Sequence, residues 1–134
     1  MNIALFLTRK LNPNEGGVQR TTSKLAKIFE SQKDKVIIVS YVNDTTSVKD
    51  YEGIKLFQVN EKESSALKKI FQEEQIDCII NQMGASLELT KLLLKVKPRD
   101  TKIINTLRIN PLNFYDNHKN TLKDFFERKK IGFL

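Results

Sequence analysis

Asn2-Ile-Ala-Leu-Phe-Leu-Thr8 opens the chain, Asn12-Pro13-Asn14 follows in a polar loop, and Gly16-Gly17-Val18-Gln19-Arg20 leads into an amphipathic segment. The first run is short and almost continuously apolar, as a strand covered on both faces requires. The glycine pair admits backbone angles that other residues avoid and lets a ligand come close to the main chain. A helix beginning just after it offers unpaired N–H groups and a partial positive charge, which suit an anion such as a phosphate. Arg20, in the first helical turn, adds a positive fork. Strand, glycine pair and helix start form one unit, and the remaining elements are read outward from it.

The spacing of Val18, Leu25, Ile28 and Phe29 predicts a helix from Val18 to about Gln32. Val36 to Val42 is β-branched and continuous, a second buried strand. Residues 43–53 are polar and rich in turn formers and read as a surface loop. Ile54 to Val59 is a third strand, placed nearer an edge because polar residues interrupt it. A second helix spans Glu61 to Gln75 with Leu67, Ile70 and Phe71 as its apolar stripe, and Ile76 to Ile80 is a fourth strand ending in Asn81-Gln82-Met83-Gly84. Ser86 caps a third helix, Leu87 to Val96, whose leucines crowd more than one face and predict deep burial; Pro98 lies just beyond its end. Lys102 to Leu107 is a fifth strand, 108–117 a loop, and Asn120 to Lys130 a basic helix packing through Leu122, Phe125 and Phe126.

Strands alternating with helices predict an α/β class: a three-layer α/β/α Rossmann-like domain with a mainly parallel sheet of five or more strands. Such a sheet binds ligands beyond the C-terminal ends of its strands, where the strand order reverses. Loops 8–17, 81–86 and 108–116 converge there.

The 134 residues suffice for one domain with a core, and 40% hydrophobic with 29% charged content is that of a globular chain. No apolar run approaches transmembrane length, and the N-terminus lacks the pattern of a signal peptide. One cysteine, Cys78, excludes an internal disulfide; in Ile76-Asp-Cys-Ile-Ile80 it reads as a small buried hydrophobe. The expected location is the cytoplasm. The net charge of +7 is uneven: residues 1–85 hold 12 basic and 11 acidic side chains, and residues 86–134 hold 11 and 5. The basic last third fits either a solvated lysine-rich helix face or contact with an acidic surface, such as anionic lipid.

Several chemistries are missing. Without Gly-x-Gly-x-x-Gly or a Gly-Lys-Ser/Thr phosphate loop, neither a nicotinamide or flavin enzyme nor an NTPase is expected. The strand ends lack the acidic residues of a receiver domain. The one histidine, His118, and Cys78 are too far apart in sequence for a metal cluster, so no metal and no cofactor are expected. No paired carboxylates occupy the three loops, which leaves acid–base hydrolysis without machinery. Nucleic-acid binding lacks aromatic platforms beside the charge. The loops hold Arg9, Lys10, Gly16, Gly17, Arg20, Asn81, Gln82 and Arg108, an inventory suited to an anionic, hydroxyl-bearing ligand.

Met1-Asn-Ile-Ala-Leu-Phe-Leu7 followed by Asn12-Pro13 and Gly16-Gly17-Val18-Gln19-Arg20 resembles the opening of the family 4 retaining GT-B glycosyltransferases. Ile76-Asp-Cys-Ile-Ile-Asn-Gln82 is similar to their fourth strand, and Lys102-Ile-Ile-Asn-Thr-Leu-Arg108 followed by Pro111 to their fifth. The resemblance implies an N-terminal, acceptor-side domain of a two-domain enzyme. The donor-binding C-terminal domain, with its E-x7-E glutamate pair, would follow Leu134, and the apolar ending Ile131-Gly-Phe-Leu134 fits a chain cut from something longer. It further implies a nucleotide-sugar donor, a sugar or lipid-linked sugar acceptor, cell-envelope or capsular polysaccharide synthesis, and peripheral contact with the inner face of a membrane. Gly16 and Gly17 would approach the donor phosphates, with Arg20 lining or bracing the same site. Asn81, Gln82 and Arg108 would face the acceptor. Family members often carry histidines where this chain has Arg108 and Asn81-Gln82-Met83. An arginine binds a phosphate or carboxylate but does not act as acid or base near neutral pH, so no catalytic residue is assigned. Without the second domain the chain is expected to be inactive. The alternative is a stand-alone flavodoxin-like phosphate- or nucleotide-binding or regulatory domain.

Overall fold

A computed structural model describes residues 1–12 and 16–106. Its element order is β1 (Asn2–Leu7), α1 (Gly17–Ser31), β2 (Lys35–Val42), β3 (Ser47–Tyr51), β4 (Ile54–Asn60), α2 (Ser65–Glu73), β5 (Cys78–Asn81), α3 (Leu87–Val96) and β6 (Lys102–Asn105). The sheet order is β3-β4-β2-β1-β5-β6. Every pairing is parallel except β3 with β4. The domain is α/β and Rossmann-like, as expected. The loop and helix expected at 108–117 and 120–130, with Arg108, lie outside the described residues.

β1 occupies the centre because nothing in it needs water. Ala4 through Leu7 are fully buried, and the strand pairs on both sides: Ala4 stands opposite Ile37 of β2 and Ile79 of β5. Alternate residues feed two cores, one on each face of the sheet. Ala4 and Phe6 join Ile37, Val39, Leu67, Phe71, Ile79 and Leu93 on the side of α2 and α3. Ile3, Leu5 and Leu7 join Ala26, Ile38 and Ile80, with Val18, Leu25 and Phe29 of α1 packed against them.

Three expectations are corrected. The stretch 43–53 is not all loop: Ser47–Tyr51 forms edge strand β3, hydrogen-bonded antiparallel to β4 with Tyr51 opposite Ile54. Glu52 and Gly53 make the two-residue turn, both with positive φ (50° and 89°). β4 is therefore one strand in from the edge. The second helix begins at Ser65 and not Glu61, because Asn60 closes a turn first: its carbonyl accepts from the Glu63 N–H at 2.8 Å and its side chain from the Lys62 N–H at 2.8 Å. Finally, α3 is not deeply buried. Only Leu93 and Val96 are, while Leu87 and Leu94 are 66% and 56% exposed.

Candidate functional site at the strand-order switch

β1 and β5 are adjacent and parallel, yet the chain leaves their C-terminal ends for opposite faces. From β1 it goes to α1 on one side; from β5 it goes to α3 on the other. Diverging connections at neighbouring strand ends open a crevice. An open cleft of about 330 Å³ lies there, lined by Val18 of α1 and by Gln82, Met83, Gly84, Ala85 and Ser86. Of the three loops expected to converge, 81–86 lines the cleft, 8–17 reaches it through Val18, the residue just after it, and 108–116 lies outside the described residues.

Gly16 shapes the α1 side. Its φ of 139° is one that residues with a Cβ rarely adopt, and a Cβ there would stand 2.9 Å from Gln19 Oε1. Gly16 is the N-cap of α1, and its carbonyl accepts from the Arg20 N–H at 3.1 Å. As a glycine, the N-cap has no side chain with which to cap the helix, and the first turn holds no acidic residue. Gly17 is exposed, with open space where a Cβ would be. Arg20 is exposed and pairs with no carboxylate among the described residues; it does not line the cleft.

The β5 side is built from a web tied to β6. Asn81 is fully buried, and both ends of its amide are engaged: Nδ2 donates to Asn105 Oδ1 at 3.0 Å, and Oδ1 accepts from the Met83 N–H at 3.0 Å. That side chain fixes the turn and the neighbouring strand. Gln82, also fully buried, is tied at its backbone to Phe6, whose carbonyl accepts its N–H at 2.9 Å. Its Oε1 accepts from Thr106 Oγ1 at 3.1 Å, and the residue lines the cleft. Ser86 caps α3 as expected, accepting the Leu89 N–H at 3.3 Å.

Two contributors escaped the sequence reading. Gly84 lies against β6, where a Cβ would stand 2.5 Å from Thr106 O and 2.7 Å from Asn105 Cβ. Thr106 in turn holds Asn81 and Gln82 through its N–H and hydroxyl. Both the glycine and the strand after α3 were expected from the sequence; that the one abuts the other was not.

Arg9 and Lys10 stand at the far end of β1. The Arg9 carbonyl accepts from Ser40 Oγ at 2.6 Å, and Lys10 pairs with Asp44, which holds the Asp44 carboxyl below its usual range. Among the described residues no His, Cys, Asp or Glu cluster could hold a metal, and no helix is long and apolar enough to cross a membrane. The site offers backbone donors, amides and an open volume. That is equipment for binding and orienting.

No protein-family model matches this chain, and no curated protein matches it significantly. Among solved structures it is similar to aspartate semialdehyde dehydrogenase II from Vibrio cholerae, solved with ASA, at 12% identity and a TM-score of 0.32. The similarity covers 91% of this chain and 47% of that one, so the chain spans about half the length of that protein.

Proposed function

We propose that this chain is the acceptor-side domain of a retaining GT-B glycosyltransferase that uses a nucleotide-sugar donor in polysaccharide synthesis. In this reading the α1 N-terminus approaches the donor diphosphate, and the loop after β5 borders the acceptor. The observation that carries it is the Gly16-Gly17 entry: a helix start whose N-cap is a glycine held at a positive φ, directly before Val18, which lines the crevice between β1 and β5. The described residues that line the cleft include no carboxylate or histidine, which fits a half-site whose chemistry is completed by a second domain. Peripheral contact with an anionic membrane belongs to the same proposal and rests on the charge surplus of residues 86–134.

Two measurements test it. Read downstream of codon 134, the source gene should encode a second α/β domain with two glutamates eight residues apart. Titration of isotope-labelled chain with UDP- and GDP-sugars should shift the amide resonances of Gly16 to Gln19 and Met83 to Ser86. A frame that stops at codon 134 overturns the transferase reading. If nucleoside diphosphates still shift those amides, the chain is a stand-alone phosphate- or nucleotide-binding domain.

A further inference from the structure

The outer face of α3 is built against expectation for a solvent-exposed helix. Leu93 and Val96 serve the core, with Leu89 and Leu92 packed beside them, yet Leu87 and Leu94 point away from it and are 66% and 56% exposed. They are seven residues apart, so they lie on nearly one line along the helix, about 10 Å apart. Glu88 and Lys95, also exposed and seven apart, form the adjacent row in the same register. Neither has an ion-pair partner among the described residues.

This pattern is its own complement. Rotate one helix about a two-fold axis normal to the plane of an antiparallel pair. Each row then maps onto itself reversed, bringing Leu87 of one copy against Leu94 of the other and Glu88 beside Lys95, twice over. Lys91 lies midway between the two rows, close to the axis, so the Lys91 stems of the two copies approach each other there; each lifts its ammonium into water on a flexible stem, a cost that the leucine contacts and the two Glu88–Lys95 pairs offset. We propose that α3 is a self-association surface: two copies of this chain pack α3 antiparallel through Leu87 and Leu94, with reciprocal Glu88–Lys95 pairs fixing the register. One ten-residue helix per copy falls well short of the roughly 800 Å² per partner of a standard interface, so the dimer is weak and concentration-dependent.

Sedimentation equilibrium of the whole chain at loading concentrations from about 10 µM to 1 mM reads this directly. The wild type is expected to move from monomer to dimer. Glu88→Lys alone and Lys95→Glu alone each weaken association roughly tenfold, because two pairs become two repulsions. The double reversal E88K/K95E restores it, and Leu87→Lys with Leu94→Lys abolishes it. All four positions are exposed, and circular dichroism checks that each variant is folded. A chain monomeric to 1 mM overturns the proposal, as does a dimer indifferent to the single reversals or not rescued by the double one. Co-sedimentation of a monomeric chain with phosphatidylglycerol vesicles, lost in the leucine variants, would assign the face to lipid instead.

Discussion

Gly84 and Thr106 meet main chain to main chain: the Gly84 N–H donates to the Thr106 carbonyl at 3.1 Å, and a Cβ on Gly84 would stand 2.5 Å from that same oxygen. The contact seats the loop after β5 on the end of β6, and it leaves no room for a methyl group. Gly84→Ala must push two backbone segments apart. A loss of about 1–3 kcal/mol is expected, the usual cost of overpacking. Urea unfolding at constant m-value measures it. Since Thr106 also holds Asn81 and Gln82, amide shifts should spread through 81–86. A variant as stable as wild type would mean the loop and β6 separate without cost.

The two neighbouring glycines at α1 should behave differently. Gly16 sits at a φ of 139°, where a Cβ is strained and would crowd Gln19 Oε1, so Gly16→Ala should cost about 1–2 kcal/mol. Gly17 has open space where the Cβ would go, so Gly17→Ala should leave stability unchanged or raise it slightly. If a diphosphate approaches this loop, Gly17→Ala nonetheless weakens binding, because the methyl occupies the approach. Thermal midpoints and nucleotide-sugar titrations of both variants separate the roles. Unchanged binding in a stable Gly17→Ala protein would move the site elsewhere.

Glu74 joins the foot of two strands. Lys35 Nζ lies 2.7 Å from one carboxylate oxygen and Lys55 Nζ 3.0 Å from the other, while the Glu74 side chain is only 11% exposed. The Lys35 ammonium foremost, with Lys55 adding to it, holds the carboxyl below its ordinary value of 4.5, although burial pushes the other way. A folded-state pKa depressed below the unfolded one adds stability that is present above the unfolded value. That stability is lost as pH falls through the folded value. Glu74→Gln should therefore cost about 1–2 kcal/mol at neutral pH. The gap to wild type should narrow progressively below about pH 4.5. Unfolding curves of both proteins between pH 3 and 7 test the sign, and a gap that widens in acid would refute it.

These residues mark what a sequence can and cannot disclose. The central strands were legible because Ala4 to Leu7 are apolar throughout and Val36 to Val42 apolar but for Ser40, which two-sided burial explains. Ser47–Tyr51 was not, because a five-residue edge strand held by backbone bonds to β4 has an exposed middle, and of its residues Tyr51 packs against the core at its very end. Its turn, Glu52-Gly53, is also a weaker hairpin signal than Asn-Gly. The place of loop 81–86 beside the start of α1 followed from the topology of a parallel sheet. The engagement of Asn81 with Asn105 did not, since nothing in a sequence pairs two asparagines 24 residues apart. The leucines of α3 were counted correctly and misplaced. Five leucines in ten residues, Leu87, Leu89, Leu92, Leu93 and Leu94, exceed what one buried face accommodates, and the surplus lies outside.

Helix α2 ends on a residue chosen against its backbone. Gln75 has a φ of 52°, in the left-handed region, while the following Ile76 N–H donates back to the Phe71 carbonyl at 3.0 Å. This is the geometry in which glycine is favoured just past a helix C-terminus, since it lacks the Cβ that makes the conformation costly. Gln75 makes two further ties, its N–H donating to the Gln72 carbonyl at 3.1 Å and its carbonyl accepting from Asn2 Nδ2 at 2.9 Å, both through backbone groups that glycine keeps. Gln75→Gly should therefore stabilise the protein, by about 0.5–1 kcal/mol after the larger unfolded-state entropy of glycine is subtracted. Lys33, with a φ of 66° after α1, repeats the arrangement: the Asp34 N–H donates to the Phe29 carbonyl at 3.1 Å. Lys33→Gly should act alike, and because the two sites lie on different helices their effects should add. Thermal melts of the two single variants and the double variant measure this. A lowered midpoint in either single variant would show that side-chain contacts at that position outweigh the backbone strain.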